Sequence, residues 1–461
     1  MLDDLIREST SLFSDGASTV LRGHENRQRS AVLRNGSLVS NVRAEGRGVS
    51  ALVYRGGVYG FSSAPEYSKT AADTVMTEAE KNASFLSAHA PGSLGPFPCY
   101  PGKRVETLRT IDDAEQKDII ERLKEIDSYI VSKYPDLTAR SIRYREDSQD
   151  KIIYSSDMSS GHVINPRAHI VITLSSVTKD GTPVSLSDVY GGRGGFYNYF
   201  TSVKWLFPEI DRLYLRLMDK KEGVYPEAGM KTVVLGGILT GMLAHEAVGH
   251  TVEADLVRGG SVAGPLLGKE VASPLVSLVD FAHTALGKTA PLPIILDDEG
   301  VPAEDAVLIK GGILTGYMHN RETALRYGVK PQGNARAWSF GDEPLIRMRN
   351  TAILPGKDKL EDIIASVDDG YYLIDTNNGQ ADLTGEFMFG VTMGYEIKKG
   401  KLGRAILDTT VSGIAFDMLK SVDMVSDTVV WSAAGMCGKK QPIPVGMGGP
   451  QLRCRIMIGG R

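Results

Sequence analysis

The stretch that most constrains this 461-residue chain is the apolar run Val233 to Ala244, which leads directly into His245-Glu246-Ala247-Val248-Gly249-His250. Glycine and threonine interrupt the run, and it falls well short of the roughly 20 residues a bilayer span needs. It is therefore expected to lie inside a globular protein, as part of one helix around Leu235 to Leu256. Two of only eight histidines flank an acid on that helix. On a regular α-helix, residues i and i+4 lie about 40° apart around the axis, whereas i and i+5 lie about 140° apart. A helix that aims both imidazoles at one point must unwind or carry a π-type bulge. Gly249, which lacks a Cβ, is where that distortion costs least.

Zinc chemistry explains why these residue types sit together. Neutral imidazoles bind the ion, and a neighbouring carboxylate accepts a proton from water that the ion has acidified. His245 and His250 are the candidate ligands and Glu246 the candidate base. A tetrahedral site needs a third protein ligand, and the residues alone leave Glu253, Asp255, His283, His319, Cys437 and Cys454 open. Glu253, three residues after His250, also suits an outer acid that orients an imidazole. Cys437 lies between glycines and near lysines that would favour its thiolate, whereas Cys454 alternates with Arg453 and Arg455 in a strand-like run.

The rest of the chain reads as α+β. An amphipathic helix is expected near Leu2 to Phe13, then a hairpin through Asn35-Gly36 and a second β pattern from Gly48 to Phe61 with a turn at Gly56-Gly57. Helices follow over Glu66 to His89 and Ile111 to Lys133, the second opened by the capping-box variant Thr110-x-x-Asp113, with β signal from Ser141 to Val177. The polar stretch Asp219 to Glu227 marks a boundary between two domains. The first, residues 1–222, is a mixed α/β unit expected to border a substrate cleft. The second, residues 223–461, is β-rich, with short apolar runs at Leu292 to Leu296, Ala306 to Ile309, Ile313 to Tyr317, Tyr371 to Ile374 and Phe387 to Val391, and it carries the metal-binding helix.

Composition excludes several classes. With 52 basic against 56 acidic residues the net charge is −4, which gives no support to a nucleic-acid partner. Acids at Asp3 and Asp4 occupy positions where a signal peptide needs basic residues, and no segment is apolar enough to span a membrane. Three cysteines without a CxxC pair fit a reducing compartment, so a cytoplasmic protein is expected. Gly287-Lys288-Thr289 imitates the end of a phosphate loop but lacks its opening glycine, because residue 282 is alanine. Gly191 to Gly195 reads as a loop entering the aromatic segment Phe196 to Phe200. Asp297-Asp298-Glu299 reads as a solvated acidic turn. His162 and His169, seven apart, would point to opposite faces of a shared strand.

His245 to His250, followed by Glu253 and Asp255, resembles the signature of the TldD/PmbA metalloprotease family. Asp297 to Pro302, Asn350-Thr351 with Leu354 to Lys357, and Cys437-Gly438-Lys439 with Pro444 to Gly448 are similar to further blocks of its TldD branch. The similarity covers most of residues 225 to 450. PmbA-like partners usually lack the His-Glu-x-x-x-His set, so its presence points to the catalytic branch. The resemblance implies a Zn2+ peptidase acting on unfolded or small peptides, with His245, His250 and Cys437 as ligands and Glu246 as base. It leaves Cys454 without a role. It also implies a homodimer or a heterodimer with a PmbA-like paralogue. An alternative implication is a non-enzymatic regulator of the DNA gyrase modulator type, in which the metal is structural.

Overall fold

The computed structural model describes residues 2–89, 94–106, 114–157 and 159–459. Its first half is built on a seven-stranded sheet. The strands are β1 (Ser18–Arg34), β2 (Ser37–Arg55), β3 (Val58–Ala64), β4 (Gly102–Glu106), β5 (Ala139–Ser155), β6 (Ser159–Val177) and β7 (Pro183–Arg193). They run in the order β3-β2-β1-β5-β6-β4, with β7 also on β6, and all pairings are antiparallel except β4 with β6. The expected hairpin closes at Asn35 and Gly36, whose φ angles of 49° and 80° are those of the mirror-image turn that suits the strand twist. Helix Gln116–Lys133 buries Ile119, Leu123, Ile126 and Ile130, which share one face at helical spacing. With helix Phe207–Lys221 it covers Ile142, Tyr144, Ile170 and Ile172 of the sheet. Helix Lys69–His89 packs on Val49, Ala51 and Val53, and its first turn is held by Ser68 Oγ, which accepts from the Ala71 N–H at 3.0 Å. The proposed cap at Thr110 and Asp113 lies outside the described residues; the described helix begins after Glu115.

The second half is an eleven-stranded sheet that closes on itself. The strands Ile443–Ile458, Thr409–Ile414, Glu386–Lys398, Asp369–Ala381 and β8 (Gly229–Leu235) pair in that order, and β8 pairs back onto the first of them. Closing the ring removes free edges and surrounds one large core. Leu239, Leu243, Ala247 and Val248 occupy that core together with Phe387, Phe389, Leu452 and Ile456. The barrel thus carries the histidine segment as a buried insertion. The molecule is α+β, as the sequence leads one to expect.

Several local expectations are revised. Leu292 to Leu296 is an irregular segment with a single bridge, Leu296 with Pro302, and the strand expected from Ile313 to Tyr317 stops at Leu314. Gly287-Lys288-Thr289 closes a two-residue-per-strand hairpin. Asp297, Asp298 and Glu299 are buried, not solvated. Asp298 accepts from Arg22 at 3.0 Å and from Lys151 at 2.8 Å, both on the first sheet, while Asp297 accepts from the N–H groups of Glu299, Val301 and Ala335. Asp298 thus ties this turn of the second half to the first sheet, a contact between residues more than a hundred positions apart that no local pattern records. His162 and His169 both lie on β6, as expected of a shared strand.

Candidate metal centre

The helix expected over Leu235 to Leu256 is broken into four pieces. It is α-helical over Gly237–Leu243, π-helical over Ala244–Gly249, 3-10 over His250–Val252 and α-helical again over Ala254–Arg258. The His250 N–H donates to the His245 carbonyl, the i to i+5 bond of a π turn, so the two imidazoles that a regular helix would splay are brought onto one side. Their ring centroids are 5.4 Å apart. Gly249 also makes room for Met348, whose sulfur would lie 2.0 Å from a Cβ at that position and would have to shift.

Cys437 ends the strand Met424–Cys437, which hairpins into Ile443–Ile458, and its Sγ lies 3.5 Å from His250 Nε2. Ligand atoms of His245, His250 and Cys437 all fall within 4.8 Å of one another, and among the described residues this is the cluster of metal-ligating type. Neither ring nitrogen of the fully buried His245 has a hydrogen-bond partner in the protein. Such a group is costly to bury unless something else satisfies it. Two imidazoles and a thiolate form a set that suits a borderline-soft ion such as zinc, so the residues present fit the group.

The surrounding charges sharpen this arrangement. Glu246 Oε2 is 3.6 Å from His250 Nε2, on a side chain that remains partly exposed. On the far side of the ring, Glu253 Oε2 lies 3.3 Å from His250 Nδ1 and accepts from Lys439 Nζ at 2.9 Å. Lys439 also reaches Asp255 and the Ile346 carbonyl. Its cation is therefore committed to Glu253, which steadies His250, and to Asp255. Burial opposes ionisation of Cys437, but the neighbouring His245 and His250 outweigh it and pull the thiol down to about 3. Burial likewise opposes charge on His250, yet its contacts with Cys437 and Glu253 raise it to about 10.

The other candidate ligands lie elsewhere. His283 is exposed beside the short hairpin. His319 is buried, bonded through Nδ1 to Thr323 Oγ1 at 3.1 Å, and pushed down to about 4 by burial. Cys454 faces the barrel core, where burial pushes its thiol up. Sequence reasoning passed over Arg347 and Met348. Their signal was the alternation Arg347-Met348-Arg349 after Leu345-Ile346, which places guanidiniums in a segment otherwise apolar enough to be buried.

Fold and site together define an α+β protein with a buried thiol and imidazole centre of metal-binding type. Residues 228–460 match the model described as the PmbA/TldA metallopeptidase C-terminal domain, and residues 20–83 match its domain 1. A metalloprotease TldD homolog of Buchnera aphidicola subsp. Acyrthosiphon pisum is 33% identical over 377 residues, which is 78% of this chain and 75% of the relative. A zinc metalloprotease TldD homolog of Saccharolobus solfataricus is 28% identical over 348 residues, covering 75% of this chain and 76% of the relative. The crystal structure of TldE from Thermococcus kodakarensis superposes over 100% of both chains with a TM-score of 0.76 at 16% identity, a likeness of fold. The chain belongs to the PmbA/TldD metallopeptidase family.

Proposed function

We propose that the protein is a zinc-dependent peptidase that hydrolyses unfolded or small peptides, with His245, His250 and Cys437 as metal ligands and Glu246 as general base. The observation that carries this reading is the convergence of the three ligand atoms within 4.8 Å beside a partly exposed carboxylate. A zinc ion, when bound, supplies Lewis acidity and lowers the pKa of water at the centre from about 15.7 to about 7. The protein's own groups do the rest. Glu253 Oε2 accepts the Nδ1 proton of His250 and so presents Nε2 to the ion, and Lys439 fixes Glu253 in turn. Glu246 stands on the Nε2 side of the same ring, at 3.6 Å, and its Oε2 takes the proton of the attacking water and returns it to the leaving amine, a role worth on the order of 10² to 10⁴ in rate.

The wider reading follows the family. The chain divides near residue 222 into an N-terminal unit that borders the cleft and a C-terminal metallopeptidase unit, and it works as a homodimer or with a PmbA-like paralogue. A cytoplasmic setting is supported by free cysteines at 99, 437 and 454 and by the lack, among described residues, of a helix long and apolar enough to cross a membrane.

Glu246→Gln tests the assignment. The variant is expected to keep its zinc and to lose hydrolysis of an unfolded peptide by about 10² to 10⁴. Undiminished cleavage removes Glu246 from the role of base. A wild-type protein with stoichiometric zinc and no cleavage of any unfolded peptide favours the regulator with a structural metal.

A further inference from the structure

Ala433, Gly435, Cys437, Lys439 and Gln441 are alternate residues along the end of one strand and the turn beyond it. The main-chain carbonyls of all five accept hydrogen bonds from just two guanidiniums. Arg167 Nη1 donates to Ala433 O at 2.8 Å and Gly435 O at 3.1 Å. Arg347 Nη2 donates to Cys437 O at 2.7 Å, and its Nη1 donates to Lys439 O at 3.1 Å and Gln441 O at 2.8 Å. Both side chains are buried, at 1% and 0% exposure.

The two arginines approach from different parts of the molecule. Arg167 stands on β6 of the first sheet, where Asp147 of β5 grips its Nε and Nη2 at 2.9 and 2.8 Å. Its remaining nitrogen is thereby aimed across at the second half. Arg347 is hydrogen-bonded, among the described residues, through its guanidinium to these carbonyls alone, and its neighbour Met348 is the side chain for which Gly249 leaves room. The segment Arg347-Met348 thus touches both halves of the centre, the thiol arm and the histidine turn. A guanidinium presents its donors in a fixed plane, so Arg347 holds three carbonyls with two nitrogens and Arg167 holds Asp147 while its third nitrogen reaches two more; the single rotating ammonium of a lysine does not reproduce either set.

We propose that Arg347 and Arg167 are positioning residues for the metal centre. They set the path of the Cys437 arm so that its sulfur meets the two imidazoles, and through Arg167 the N-terminal sheet controls how tightly the centre holds its ion. The inference rests on the reading of Cys437 as a ligand. A merely structural role would lower stability alike with and without metal; a positioning role lowers chiefly what the metal adds.

The test uses full-length Arg347→Lys, Arg167→Lys and Cys437→Ser proteins. Three quantities are measured: the zinc dissociation constant by chelator competition, the thiolate-to-cobalt charge-transfer absorption of the cobalt-substituted protein, and the rise in Tm caused by zinc. Arg347→Lys is expected to weaken zinc by about 10- to 100-fold, as loss of outer-shell support does, with a weakened absorption band and a smaller zinc-induced rise in Tm. Arg167→Lys is expected to move all three in the same direction by less. Wild-type zinc affinity and band in both arginine variants, with Tm lowered equally in zinc and in chelator, overturns the proposal. Should Arg347→Lys not fold, Arg167→Lys decides on the same measures. If Cys437→Ser itself retains the band and the affinity, the ligand reading has failed and the proposal falls with it. If Cys437→Ser loses them and the arginine variants do not, only the positioning role has failed.

Discussion

Cys437 and Cys454 lie on paired strands, Met424–Cys437 and Ile443–Ile458, and are buried to nearly the same degree, at 1% and 2% exposure. Their chemistry is opposite. Cys454 stands opposite Val233 of β8, among Leu452 and Ile456, where burial and then the charge of Asp423 push its thiol up. Cys437 meets the same cost of burial, but His245 and His250 overcome it. The adjacent residues in sequence point the wrong way. Cys454 is flanked by two arginines, yet side chains alternate across a strand, and Arg453 pairs with Asp423 at 2.7 Å. Cys437 has Lys439 close by, yet that cation is taken by Glu253 and Asp255. A buried thiol is activated by what faces it across the fold, here two imidazoles some 190 residues away, and not by nearby charges in the chain.

The widest separation between the two cysteines is expected in metal content. On the proposed ligand set Cys437→Ala removes a direct ligand, and it is expected to weaken zinc by more than the 10- to 100-fold that outer-shell changes cost, leaving the purified protein nearly free of zinc. Cys454→Ala is expected to retain wild-type zinc. Elemental analysis of the two variants, purified side by side, checks this, and an emptied site in Cys454→Ala with a full one in Cys437→Ala would reverse the assignment.

Acid titration of chelator-treated protein sharpens the same contrast. A folded-state thiol held at about 3 contributes stability that is lost as pH falls toward that value and that grows until the unfolded thiol itself ionises near 9. His250, raised to about 10, contributes stability that is full below about 6.5 and lost as pH rises to 10. The two slopes cancel between about pH 6.5 and 9, so this pair's contribution rises from pH 3, is flat across that window and falls above it. Denaturant midpoints across pH, wild type minus Cys437→Ala, read this difference. Far-ultraviolet thiolate absorbance persisting well below pH 8 in the wild type, and lost in Cys437→Ala but not in Cys454→Ala, reads the thiolate itself.

Local patterns were legible in the sequence and long-range pairings were not. Asn35-Gly36 announces its hairpin because the turn needs two positive φ angles, and Ile119, Leu123, Ile126 and Ile130 announce their helix by spacing. The distortion at Ala244–Gly249 was legible too, since two histidines five apart cannot share a face of a regular helix. The further break before Ala254 was not: Glu253 is extended and bridges Met318, a partner 65 residues on. The approach of Cys437 to the histidine pair stayed illegible on the residues alone because Cys437 is 187 positions from His250, and only the resemblance singled it out as the proposed third ligand. Arg167, Arg347 and the buried Asp298 were illegible for the same reason. Each is a charge with partners far along the chain: the carbonyls on Arg347 lie 90 or more positions away, those on Arg167 266 or more and the cations on Asp298 147 or more. A charged residue without visible partners reads as surface.

The smallest expected effect concerns Cys454 alone. Cys454→Ala removes one sulfur from the barrel core beside Leu452 and Ile456, a loss comparable to deleting a methylene or two, and is expected to cost about 1 kcal/mol. Cys454→Ser keeps the size but places a hydroxyl in apolar surroundings, at about 1–3 kcal/mol, so serine is expected to be the worse replacement although it is closer in shape. Urea unfolding in excess chelator measures both, with an unchanged m-value as the check that only stability has moved. The order alanine above serine marks Cys454 as a small apolar side chain. Serine at or above alanine would mean that a polar partner reaches position 454, and the contrast between the two cysteines would then be one of degree.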